Sequence, residues 1–197
     1  MVKGKAFSGQ TKLFVKGLSM FCLNEKVVYP GHGVAKISNI VKKFVGTQEV
    51  TFYELNFLNK EVTVLVPTDN ACAIGIRALS STDNIKDAYT LLTKPARKAD
   101  SYEFTVNNWN KRNKEYQLKL RTGNLKDLLE IYRDLRHMAC QKELSFGEKN
   151  LLQQTESLLV EEISIVEHIG QEKTIEQLRS LCSIYKNKKF VNEEKVF

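Results

Sequence analysis

The residues best placed to do chemistry lie together in one polar run, Asn107-Asn108-Trp109-Asn110-Lys111-Arg112-Asn113-Lys114. The run holds the chain's single tryptophan, with three cations and four asparagines around it. At the helical period Trp109, Asn113, Tyr116 and Leu120 share one stripe, which suits a core aromatic packed under Tyr116. The position suits a second role as well. A helix N-terminus attracts phosphate through its free N–H groups and its dipole. An apolar ring flanked by Lys111, Arg112 and Lys114 is what a minor-groove binder uses to pry at a base step. Both readings stay open on this run alone.

Other arrangements offer less. His32 stands between Gly31 and Gly33. A lone histidine there reads as a turn residue bonded to its own loop. Asp127, Glu130 and Asp134 fall at helical spacing beside Arg133 and Arg136, which reads as a solvated charged face and not as a catalytic carboxylate cluster. Cys22, Cys72, Cys140 and Cys182 are far apart and form no C-x-x-C pair, and His32, His137 and His168 are equally scattered. Zinc sites bring ligands close in sequence, so free thiols in a reducing compartment are expected, and no metal. There is no glycine-rich phosphate loop, no dinucleotide fingerprint and no Ser/His/Asp arrangement. The expectation is a protein that is not an enzyme, with no cofactor and no small-molecule substrate.

Composition narrows the partner. The chain has 197 residues, 42% hydrophobic and 27% charged, enough for one medium domain or two small ones. No run approaches the roughly 20 apolar residues of a membrane span. Residues 1–20 carry Lys3, Lys5, Lys12 and Lys16 and no acid, without the apolar centre of a secretory signal. They read as a basic arm on a cytoplasmic protein that does not engage membranes. The net charge of +7 is unevenly spread. Residues 97–121 hold seven basic and three acidic residues, whereas residues 123–169 hold five basic and nine acidic. Positive charge concentrated in one segment points to a polyanion at a defined place.

The elements that must position these residues fall into two halves. Lys26–Tyr29 is a short apolar run closed by Pro30-Gly31-His32-Gly33, where a turn is enforced. Residues 34–41 alternate imperfectly, and Gly46 marks the next turn. Thr51, Tyr53, Leu55 and Phe57 share a face of a third strand, Asn59-Lys60 makes a turn, and residues 62–66 form a fourth strand stopped by Pro67. Residues 72–76 read as a short fifth. Five short strands without helices between them predict an antiparallel sheet curled into a small barrel.

From Ser81 the period becomes helical. Ser81 or Thr82 caps a helix through Ala88, Leu91 and Leu92 that ends before Pro95. A second helix covers residues 105–121 and stops at Gly123. Asn124 caps a third, with Leu125, Leu128, Leu129, Tyr132, Leu135 and Ala139 on its apolar stripe. Ser145-Phe146-Gly147-Glu148 has capping-box spacing and opens a long fourth helix. A further helix spans residues 174–185, and residues 186–197 read as a polar, frayed tail. The fold class is α+β: an N-terminal antiparallel β-barrel in residues 21–79, then an all-α domain of four to five helices in residues 80–185.

Four motifs carry a resemblance across residues 21–169. Asn24-Glu25-Lys26-Val27-Val28-Tyr29-Pro30-Gly31-His32-Gly33-Val34-Ala35 resembles the opening of CarD-like (CdnL) regulators, a module also found in the transcription–repair coupling factor. Val64-Leu65-Val66-Pro67-Thr68-Asp69-Asn70-Ala71 resembles the end of that module. Asn108-Trp109 with Lys111-Arg112, and Leu144-Ser145-Phe146-Gly147-Glu148-Lys149, continue the match in the same order. No helicase motor is present, so the coupling factor as a whole is not matched. The resemblance implies a Tudor-like barrel that binds the β subunit of RNA polymerase. It also implies a helical domain that contacts promoter DNA in the minor groove at the upstream edge of the bubble, with little sequence specificity. Trp109 matches the family's wedge, and Lys111, Arg112, Lys114 and Lys149 match basic positions toward the DNA. Lys43, Leu65 and Pro67 match the polymerase-binding surface, and Leu65 stands where some members carry an arginine. A protein–protein adaptor whose basic helix never meets DNA is the alternative.

Overall fold

β1 (Lys26–Tyr29) pairs antiparallel with β2 (Gly33–Val45) across a turn that only glycine accommodates easily, with Gly31 and Gly33 at φ 72° and 104°. The computed structural model describes residues 21–94 and 106–193; in residues 106–108 and beyond Cys182 only the backbone is described. The basic arm, Pro95 and the last four residues lie outside the described residues. His32 donates its backbone N–H to the Tyr29 carbonyl at 3.0 Å and sets its ring edge-on to Tyr29, so it belongs to its own turn as expected.

β2 and β3 (Gln48–Phe57) form a long hairpin, and β4 (Thr63–Pro67) adds to β3. The sheet order is β4-β3-β2-β1-β5, with every pairing antiparallel. Val27, Ala35, Ile37, Tyr53, Leu55 and Val66 meet on one face, joined by Phe21, Ala71 and Ile76. Their burial curls the sheet into the expected small barrel, each fully buried aliphatic side chain contributing about 1.5–3 kcal/mol. The imperfect alternation of β2 has a cause. The register shifts between Ile37 and Asn39, and Val34 is buried outside the barrel core because a helix crosses that end of the strand.

The fifth strand differs from expectation. Residues 72–76 are not extended: Thr68–Asn70 is a 3₁₀ turn and α1 (Ala71–Ile74) a helical one. Gly75, at φ 91°, ends α1, and β5 (Arg77–Ala78) follows and pairs with β1. Cys72-Ala73-Ile74 looks apolar enough for a strand, but Ala71 and Ile74, three residues apart, pack on the core while Cys72 and Ala73 face solvent. That spacing is helical.

The helical half follows its caps. α2 (Thr82–Leu92) starts at Ser81, whose hydroxyl accepts the Asn84 N–H. α3 (Val106–Thr122) ends at Gly123, φ 63°. α4 (Leu125–Gln141) is capped by the Asn124 side chain, and α5 (Phe146–Glu167) by a complete capping box. α6 (Gln171–Glu193) runs well past residue 185, so the segment read as a frayed tail is helical to Glu193. Leu128, Leu129, Tyr132 and Leu135 of α4 pack against Leu151, Leu159 and Ile163 of α5, and Leu178 of α6 joins them. Met138, not Ala139, closes the α4 stripe. The charged residues of α4 bond to neighbouring side chains: Glu130 pairs with Lys119, and Asp127 accepts the Thr122 hydroxyl.

Candidate polymerase and nucleic-acid interfaces

The first turn of α5 organises the tryptophan region. The Glu148 backbone N–H donates to the Ser145 hydroxyl, and Glu148 Oε2 accepts the Ser145 N–H at 2.8 Å. This turns the carboxylate back over the helix start, where it is only 2% accessible. Its other oxygen lies 3.4 Å from both Arg112 of α3 and Lys142. Burial works to raise the Glu148 pKa, but the bonds from Ser145 and the charge of Lys142 outweigh it, holding the carboxyl below its ordinary range. One residue thus caps α5 and pins α3 to it.

Trp109 lies one turn before Arg112 and rests on the same start of α5. A Cβ at Gly147 would stand 3.2 Å from Trp109 Cζ2, so the glycine leaves room for the indole. The ring packs against the helical core and is only partly buried there. Tyr116 and Leu120, on the same stripe, are buried. The stripe therefore runs from core to surface, and Trp109 occupies its surface end. Lys111 and Lys114 are exposed, as is Lys149, which bonds Glu143 at 2.8 Å. Arg112 differs from the other cations: its side chain is 17% accessible and engages Glu148. Its geometry is that of a strut beneath the tryptophan.

The barrel residues converge too. Tyr53 and Leu55 point into the core, so Phe52 and Glu54 point outward. Register then puts Val41 and Pro67 beside Phe52, Lys43 beside Val50, and Leu65 beside Glu54. Lys43, Leu65 and Pro67 share the outer face of β2–β4, around half-buried Val41 and Phe52. β4 is an edge of the sheet, with main-chain groups available to a partner strand.

The two surfaces are joined by a clamp that sequence reading missed. Arg77 of β5 makes a two-pronged pair with Glu162 of α5 at 2.7 and 2.8 Å and donates its Nε–H to the Gly123 carbonyl at 2.8 Å. The Ser80 N–H donates to the same Glu162 carboxylate at 2.9 Å. Next door, the buried Glu161 carboxylate occupies the place where a Cβ of Gly33 would fall. Burial raises the Glu161 pKa, against the N–H of Val34, the charge of Lys60 and the Asn59 side chain. The visible signal was two adjacent acids inside the stretch 158–166, which is otherwise apolar except for Ser164.

Among the described residues, no group of three or more His, Cys, Asp or Glu side chains forms a potential metal site, and no helix is long and apolar enough to cross a membrane. The four cysteines are free thiols. A cleft of about 660 Å³ lies between β5, α2 and the start of α4, lined by residues such as Ser80, Asn84, Asp87 and Lys126.

A curled five-stranded sheet clamped to a helical domain defines a two-module protein, and comparison with known families identifies both modules as those of transcription regulators. Residues 21–80 match the CarD-like/TRCF RID domain, a Tudor-like module of RNA polymerase interaction, and residues 89–179 match the CarD C-terminal domain. The chain belongs to the CarD-like family. It is 25% identical over 154 residues to YdeB of Bacillus subtilis (strain 168), a candidate transcription factor by its name; the match spans 78% of this chain and 97% of the relative.

Proposed function

We propose that this regulator docks on the β subunit of RNA polymerase through Lys43, Leu65 and Pro67, and grips promoter DNA at the upstream edge of the bubble through α3 and the start of α5, stabilising the open complex in the cytoplasm. The observation that carries the reading is the partly buried Trp109, seated on Gly147 and braced by the Arg112–Glu148 pair, among exposed Lys111, Lys114 and Lys149. A buried core tryptophan needs no such setting. The outer face of β2–β4 supports the polymerase half, with Leu65 replacing an ionic contact by an apolar one.

Each surface alone is weak. A few phosphate contacts give modest, salt-sensitive affinity. Docking the barrel makes DNA contact effectively intramolecular, and the clamp between Arg77 and Glu162 keeps the second surface at a fixed offset from the first. A ring that fits a distorted junction better than intact duplex shifts the equilibrium toward the melted form. A preference of about 1.4 kcal/mol changes that equilibrium roughly tenfold. Specificity then comes from polymerase and from the ease of deforming the junction, not from the degenerate minor-groove code. The test is open-complex lifetime on one promoter with purified polymerase. The wild-type chain should lengthen it, and Trp109→Ala should abolish the effect while polymerase binding and cooperative unfolding persist. Loss of cooperative folding instead would return Trp109 to the core.

A further inference from the structure

Phe146 is the most exposed large apolar side chain among the described residues, 81% accessible at the first position of α5. The helix start does not need it there. A hydrophobic staple joins the residue before the cap to the fourth helical residue, here buried Leu144 and charged Lys149, so Phe146 stands outside that pattern. Ser145 and Glu148 complete the capping box without it. Phe146 immediately precedes the glycine on which Trp109 rests. Lys142 and Lys149, exposed at this start of α5, pair with Glu148 and Glu143, and Lys111 and Lys114 are exposed on α3. The nearby acids are already engaged: Glu143 with Lys149, Glu148 with Arg112 and Lys142, and Glu115 with Lys119. An aromatic ring in water, framed by cations, matches the stacking platform and electrostatic funnel of single-strand binders.

We propose that Phe146 is the stacking platform for the first unpaired base of melted promoter DNA, beside the Trp109 wedge. This rests on the DNA-binding reading above and extends it. Trp109 opens the step, and Phe146 holds the base that leaves the stack. Stacking of a base on an aromatic side chain is strong enough to change affinity by roughly tenfold or more.

The experiment compares the full chain with Phe146→Ala, Phe146→Leu, Phe146→Tyr and Trp109→Ala at low salt. The probes are an intact duplex and a forked duplex whose first unpaired base is 2-aminopurine. The alanine and leucine variants should bind the fork about tenfold more weakly, lose the stacking quench of 2-aminopurine, and bind the duplex like wild type. Phe146→Tyr should retain both fork affinity and quench. Since alanine, leucine and tyrosine are compared at one exposed position, a ring-dependent result cannot come from misfolding. If Phe146→Leu or Phe146→Ala matches wild type on the fork, the platform is overturned. If Trp109→Ala still loses fork preference in that case, the wider DNA reading survives. Failure of the wild-type chain to bind either DNA overturns both.

Discussion

Replacing Arg77 by alanine should uncouple the two halves of the molecule. Glu162 is 1% accessible, and it receives two hydrogen bonds from Arg77 and one from the Ser80 N–H. Without the guanidinium, that carboxylate keeps a single donor in a site built for three. Breaking a buried ion pair by removing one partner costs about 3–5 kcal/mol. The Arg77 side chain is 26% accessible, so water entering the gap moves the cost toward the lower figure. The Gly123 carbonyl also loses its donor at 2.8 Å, adding about 1 kcal/mol. The sum is about 4 kcal/mol, enough to lower the melting temperature by on the order of 10 °C in a chain of this size. Urea unfolding followed by Trp109 fluorescence, which reports the helical half, and by amide hydrogen exchange of β2 and β3, which reports the barrel, measures it. The wild-type curves should coincide, and the variant curves should separate as barrel and helices unfold apart. The Arg77→Met, Glu162→Leu double variant should recover most of the loss, because no charge is left stranded. A single-variant loss below about 1 kcal/mol, with coincident curves, would refute the clamp. Open-complex stabilisation should fall with Arg77→Ala although both surfaces keep their residues, since effective concentration depends on their fixed offset.

Three further outcomes test other parts of the structure. The folded-state pKa of Glu161 is raised, so its contribution to stability is greatest below the ordinary carboxylate pKa and is lost as pH rises through the folded value. Glu161→Gln should remove that decline, seen as urea midpoints that fall less than the wild type's as pH rises above the ordinary carboxylate pKa; parallel profiles would remove Glu161 as the cause. Gly147→Ala should shift the emission of the single tryptophan and shorten open-complex lifetime with stability within about 1 kcal/mol of wild type, because the new Cβ presses on the indole while alanine favours the helix. An unchanged spectrum would show that the ring does not rest there. Lys114→Glu should weaken promoter association and flatten its salt dependence by about one unit of log–log slope or more; an unaltered slope would take Lys114 out of the phosphate contacts.

Much of the fold was legible because its signals are local. Tight turns with glycine at positive φ, caps at Ser81, Asn124 and Ser145, and period changes near residue 80 all act within a few residues. A short apolar run such as residues 72–76 carries no usable period, and only the core contacts of Ala71 and Ile74 select a helical turn. The Arg77–Glu162 pair spans 85 residues and has no local signature at all.

Trp109 shows the same division. Sequence alone determined that one tryptophan would sit among cations near a helix start, and its helical stripe by itself favoured burial in the core. The motif resemblance favoured the exposed reading. Tertiary structure decided how the ring is held: Gly147 gives it a seat, Glu148 draws Arg112 inward as a strut, and the lysines remain at the surface. The physical reason is that exposure depends on what packs from α5, more than thirty residues away, and helical periodicity within α3 cannot report it.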